Sequence, residues 1–153
     1  MSKLYQTARI NKKIVPLALI GVVIILLASR CAVLHMCGGG LPGAETPGDI
    51  IVFLSSFGWE VDAEPVSVKN VQIPAKFTQI YEDYNTLQKK QGFDLSKYRA
   101  DITESYCFRV LNHPAEGDVF ANVLVFKGKI IGGDICSYAI NGFMTGFDGM
   151  TNS

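Results

Sequence analysis

The 153-residue sequence has only two histidines, His35 and His113, and its first thirty residues include no aspartate or glutamate. Two widely spaced imidazoles are too few for a histidine-built zinc centre, so no metal is expected. Charged residues make up only 18% of the chain, and the formal net charge is zero. That balance conceals an asymmetry. Lys3, Arg9, Lys12, Lys13 and Arg30 crowd the acid-free start, leaving nine basic against fourteen acidic residues beyond it. An acidic remainder without a basic stripe is a poor partner for phosphate backbones or anionic headgroups, so nucleic acid is not an expected partner.

What the start does contain is an uncharged apolar run over residues 14–28, behind that basic flank. Backbone amides in hydrocarbon must be satisfied within a helix or a closed barrel, so the run predicts one spanning helix with its basic side in the cytoplasm. It is short against the roughly 20 residues that cross a bilayer core. Ala32, Val33 and Leu34 extend it past Arg30, whose guanidinium can reach the headgroups. A cleaved signal peptide is the first alternative, but Arg30, just after Ala28, spoils a small-x-small cleavage site. Lipid attachment at Cys31 or Cys37 is the second, and the preceding Arg30 and Met36 are not small. The expected location is the cell membrane, single-pass, with the N-terminus cytoplasmic, the remainder outside and the lipid bilayer as partner of the N-terminal helix.

Four segments follow: a basic flank and transmembrane anchor over residues 1–37, a Gly/Pro linker over 38–45, one domain over 46–147 and a tail over 148–153. The domain reads as α+β, helices packed on an antiparallel sheet that contains a C-terminal hairpin. Thr46, Pro47 and Asp49 predict a helix start, with Ile50, Phe53, Leu54 and Phe57 on one face and Gly58 at its end. An extended segment through Val66, Val68, Val71 and Ile73 changes phase at Asn70 and stops at Pro74. The strongest helical periodicity covers residues 75–91, where Phe77, Ile80, Tyr81, Tyr84 and Leu87 recur on one face. Asp94 can cap a short turn that holds Leu95 and Tyr98.

Three strand patterns occupy residues 103–111, 118–126 and 129–136, and Lys127 with Gly128 closes the last two as a hairpin. Tyr106, Phe108 and Val110 mark the drier face of the first strand. The economical arrangement lays the long helix across that face of a three-stranded meander. Phe143, Met144 and Phe147 predict a short packed turn or helix before the tail.

Outside the cytoplasm a disulfide can persist. Cys107 and Cys136 can bridge if their strands are neighbours; the alternative is two buried free thiols. Asp134 follows Gly132 and Gly133, yet the residues around them complete neither a GxxxxGK[ST] nor a GxGxxG loop. Strand glycines more commonly admit a close crossing element, with the acid bonded to backbone. Asp101, Glu104 and Asp134 form a carboxylate set only if their strands bring them together. No catalytic residue is assigned. Trp59, Tyr84, Asn85, Tyr98 and Asp134 are the residues expected at a ligand surface, with the rings supplying amphipathic contact area. Such rings are more often core and rim, and Tyr84, on the apolar stripe of the long helix, reads first as core.

Phe57-Gly58-Trp59-Glu60-Val61, Tyr84-Asn85, Leu87-Gln88-Lys89, Gln91-Gly92-Phe93-Asp94-Leu95-Ser96, Gly132-Gly133-Asp134 and Gly142-Phe143-Met144 together resemble the bacterial domain-of-unknown-function family numbered 4830. The likeness runs from about Thr46 to Phe147. It implies a short protein with one N-terminal membrane segment and one outer domain, and it implies no activity, cofactor or catalytic residue. The expected function is a non-enzymatic binding or regulatory module of the cell envelope that contacts an envelope protein or peptide through an exposed sheet edge. The alternative is a small hydrolase or transferase that uses Asp134 and neighbouring acids.

Overall fold

The structure, a computed structural model, describes residues 40–149. The apolar run of residues 14–28, with the anchor, signal-peptide and lipid-attachment readings, lies outside the described residues. Among the described residues no helix is long and apolar enough to cross a membrane.

Helix α1 (Pro47–Ser56) starts where its capping residues place it. The Thr46 hydroxyl accepts from the Asp49 amide, and the Asp49 carboxylate accepts from the Thr46 amide at 2.8 Å, so two end amides are satisfied reciprocally. Strand β1 (Ser67–Gln72) follows, then α2 (Gln79–Lys90), a 3-10 turn (Leu95–Tyr98), β2 (Ile102–Val110), β3 (Val119–Phe126), β4 (Lys129–Cys136) and β5 (Met144–Thr145). Helix α2 begins later than its periodicity suggests, because the Thr78 side chain accepts from the Tyr81 amide and fixes the first turn beyond Phe77.

All strands form one antiparallel sheet in chain order, β1-β2-β3-β4-β5. The predicted meander is its centre, and Lys127 and Gly128 close the hairpin with φ of 49° and 70°. It is longer than expected on both sides. Strand β1 pairs with β2 in continuous register through Asn70, with no change of phase there. Residues 144–145, expected in a turn or helix, instead pair with Ile135 and Cys136 as β5, and Phe147 just beyond is fully buried.

The irregularity falls in β4. Val125 pairs with Ile130 but Leu124 pairs with Gly132, so Ile131 is one residue too many. Counting back from the hairpin turn in even register would set Asn122 opposite Gly133; the bulge sets it opposite Asp134 and turns both side chains to one face. Ile131 consequently joins Leu124, Ile73 and Leu95 in an apolar cluster on that face, with Tyr81 and Tyr84 of α2 packed against it. Phe108, Val110, Ala121, Val123, Ile130 and Ile135 form the opposite face, against Ile50 and Leu54 of α1 and against Phe147. The long helix therefore does not cover the Tyr106, Phe108 and Val110 face. Helix α1 does, and α2 takes the reverse side, which the bulge has made apolar.

The outer edge of β4 is closed by three unrelated pieces of chain. Residues 42–44, read as linker, pair with its start: Ile130 donates to the Pro42 carbonyl and Ala44 to the Gly128 carbonyl, each at 2.9 Å. Strand β5 covers its end. Between them, fully buried Gln88 accepts from the Gly133 amide at 2.8 Å and donates to the Gly133 carbonyl at 3.0 Å. A carboxamide offers the same donor and acceptor as a peptide group, so this side chain stands in for a missing strand. Gln91 adds a second donor to the Gly133 carbonyl at 3.1 Å and accepts from the Phe147 amide at 2.7 Å.

Each of the two glycines makes room for a different neighbour, and only Gly132 for this crossing. A Cβ on Gly132 would stand 2.7 Å from the Gln88 Oε1 and 3.3 Å from Leu95, and one on Gly133 would collide with the Asn122 carbonyl and the Phe147 ring. Gly133→Ala is expected to cost about 3 kcal/mol or more, since backbone must move and the Gln88 bonds part. Gly92→Ala, at φ +87° but facing open space, should cost about 1 kcal/mol. Urea unfolding of the two variants checks this order.

Candidate functional site

Asp134 is the one buried acid of the sheet, with 3% of its surface exposed. Pairing with Asn122 places its carboxylate beside the Asn122 carboxamide, which donates to Oδ1 at 3.1 Å. From above, Tyr84 on α2 donates its hydroxyl to Oδ2 at 3.2 Å. The same Asn122 nitrogen lies 3.2 Å from Cys136 Sγ, and the Asn122 oxygen accepts from the Tyr138 hydroxyl at 3.2 Å. Tyr138 also sets its ring 5.3 Å from that of Phe120. A chain of bonds thus runs from α2, across β4 and β3, to the loop between β4 and β5.

These partners of the carboxylate are neutral. Burial pushes the Asp134 carboxyl above its ordinary value, and the bonds from Asn122, Tyr84 and Cys136 pull it part of the way back. Burial, then the Asp134 charge, raises the Tyr84 phenol well above its usual range. The same two causes push the Cys136 thiol up to about 11, and burial first raises that of Cys107. Thiols held protonated at neutral pH are poor nucleophiles and poor metal ligands. Among the described residues no group of His, Cys, Asp and Glu is disposed to hold a metal ion.

The Cys107–Cys136 bridge is not formed; both thiols are free. The reason is topological. Cys107 lies on β2 and Cys136 on β4, with β3 between, and two strand spacings of roughly 4.8 Å exceed the Cα separation a disulfide tolerates. The carboxylate set does not assemble either. Glu104 sits opposite Val125 and reaches the Tyr106 hydroxyl at 3.5 Å, while Asp101 lies before the start of β2.

Of the five residues expected at one ligand surface, only Tyr84 and Asp134 meet. Trp59 donates its indole N–H to the Phe147 carbonyl at 2.6 Å and stacks on His113, which stacks in turn on Phe143. Asn85, fully buried, donates to Asp94 at 3.1 Å and accepts from the Leu95 amide at 2.8 Å, which fixes the 3-10 turn. Asp94 is held down to about 2 by its bonds to Ser96 foremost, and by Asn85. Tyr98 packs edge-on against Phe126. Asn122 and Tyr138 stand in none of the motifs read from the sequence, and Gln88 and Gln91 enter only through the family resemblance, with no role attached. The hairpin turn places Asn122 beside the glycine pair, but only the bulge decides which of its neighbours it faces.

Two carboxylates give opposite pH signatures. The raised Asp134 value favours the folded state below the ordinary carboxyl range, and that contribution is lost as pH rises through the raised value; the depressed Asp94 value favours it above that range, lost as pH falls toward about 2. Asp134→Asn should therefore gain stability relative to the parent as pH rises from acid to neutral, measured by denaturant unfolding across that interval. In the folded protein, iodoacetamide at neutral pH should modify Cys136 at least about tenfold more slowly than an unperturbed thiol. Denaturation without reductant should expose both Cys107 and Cys136 to the reagent.

The family model described as Domain of unknown function (DUF4830) matches residues 53–135, a span that takes in Tyr84, Gln88, Gln91, Gly132, Gly133 and Asp134. No curated protein and no solved structure matches the chain. The match covers more than half of the sequence, and the residues that carry the likeness are bonded to one another across α2 and β4: the chain belongs to the DUF4830 family.

Proposed function

We propose that the chain is a single-pass membrane protein whose domain lies outside the cytoplasm and acts as a non-enzymatic binding or regulatory module of the cell envelope, taking an extended segment of an envelope protein or peptide on the edge of β1. The apolar run and its one-sided basic flank support the membrane placement. The binding reading is carried by one contrast between the two borders of the sheet. The border at β4 is closed by residues 42–44, Gln88 and β5, whereas no strand borders β1 on its outer side among the described residues. The bond from the Ile73 amide to the Asp101 carbonyl sets the alternation, and by it the amides of Val68, Asn70 and Gln72 face away from β2. Such a row is what an added strand pairs with, and exposed Val66, Val68 and Ile102 lie beside it.

The rival reading, a carboxylate-dependent hydrolase or transferase, draws on the raised Asp134 carboxyl, which suits a general acid. The internal bonds from Tyr84 and Asn122 to both its oxygens favour a structural acid instead.

Asn70→Pro removes one outward-facing amide and no bond to β2. With a photo-crosslinking residue at Lys69, in the protein's own membrane, this variant should lose a crosslinked partner that Asp134→Asn retains. A partner retained by Asn70→Pro, or lost with Asp134→Asn in a folded protein, would overturn the edge-binding reading.

A further inference from the structure

The outer border of β1 carries opposite charges on the two faces of the sheet. Alternation along the strand turns Val68, Asn70 and Gln72 toward the layer that holds α1, and Ser67, Lys69 and Val71 toward the layer that holds α2. On the α1 side, Tyr106, Glu104 and Ile102 stand opposite Val68, Asn70 and Gln72. Glu104 is exposed there and accepts from the Tyr106 hydroxyl at 3.5 Å. No base offsets it from the elements of that layer. The only charged residue of α1 is Asp49, and the side chains that β1 and β2 turn to this face add Glu104 alone.

On the α2 side the sign is reversed. Lys69 is exposed beside Ser105, and its charge draws back the Cys107 thiol, which burial first and then the Asp134 charge raise. Arg109, farther along the same face, is taken by Asp118 at 3.1 Å, and Asp62 stands level with it, its amide bonded to the Arg109 carbonyl. On α2, Glu82 pairs with Arg99 at 3.7 Å and Asp83 accepts from Gln79 at 2.9 Å. Among the described residues neither Lys69 nor Glu104 is in an ion pair.

A uniform surface cannot answer two charges on opposite faces of one border. An extended segment can, because its successive side chains point to alternate faces. Bonded to the outward groups of Val68, Asn70 and Gln72, it makes Lys69 and Val71 the closely spaced, unbonded positions of the new ladder. An acid opposite Lys69 then pairs with it directly. A residue opposite Asn70 lies two strand spacings from Glu104, about 9.6 Å with only Asn70 between, a span that arginine and glutamate side chains close together. Opposite Val68 and Gln72, beside the Tyr106 ring and the exposed Ile102, apolar residues fit.

We propose that the segment taken on the edge of β1 is an antiparallel strand with the pattern apolar, any residue, basic, acidic, apolar, lying in that order opposite Gln72, Val71, Asn70, Lys69 and Val68. This chemistry rests on the edge-binding reading and adds to it what the partner presents. Antiparallel addition continues the pairing found throughout the sheet.

The test measures fluorescence anisotropy of capped, labelled peptides added to the full chain in phosphatidylcholine nanodiscs. The core Val-Thr-Arg-Glu-Val should bind about tenfold more tightly than Val-Thr-Glu-Arg-Val, in which both pairs become like charges, and about threefold more tightly than the reversed core Val-Glu-Arg-Thr-Val. Lys69→Glu with Glu104→Lys, both at exposed positions, should invert the first preference, and molar salt should level it. Equal binding of all the cores with all of it lost in Asn70→Pro, or tightest binding of the reversed core, would overturn the pattern and leave the edge-binding reading standing. Binding of none, or binding that Asn70→Pro leaves unchanged, would overturn the two together.

Discussion

A single carboxamide decides how this domain closes. Gly133 presents an amide and a carbonyl at the outer border of β4 between two segments that are already paired, and the gap is too short for a strand. Gln88 fills it with two bonds delivered from the other side of the domain. Leaving both backbone groups buried and unmet would cost about 1–3 kcal/mol each, a large fraction of the stability of a domain this size. Docking of α2, the absence of a Cβ at Gly132, and the placement of Tyr84 over Asp134 all follow from that one contact.

The bulge at Ile131 is its counterpart within the sheet. Without the extra residue, Asp134 would face the layer that holds Ile50 and Leu54, where no phenol or carboxamide waits for it. With it, Asp134 meets Asn122 and Tyr84, and Ile131 supplies the apolar surface on which α2 rests. The residues that carry the family likeness are therefore largely those that assemble the helix–sheet crossing. Asn85, Gln88 and Gln91 each bond to a backbone group rather than point to solvent.

Features set by near neighbours in the chain were legible beforehand. Thr46 with Asp49, and Lys127 with Gly128, announce a cap and a hairpin because the bonds or torsions involved span a few residues. The face on which α2 sits was not legible, because Ile130 and Ile131 are both apolar and their alternation is erased where the phase shifts. The unformed Cys107–Cys136 bridge and the scattering of Trp59, Asn85 and Tyr98 have the same origin. Which side chains meet across a sheet depends on strand order and register, and neither is written in any single segment.

The border of β4 is sealed at its two extremities by residues 42–44 and by β5, and both seals fall outside the span that the family model matches. The autonomous folding unit is accordingly wider than the family's footprint. A fragment trimmed to residues 53–135 would carry an open strand flanked by Ile130 and Ile135, with no piece of its own left to cover that border. Edge-to-edge association of the bared borders is then the natural fate of an over-shortened domain.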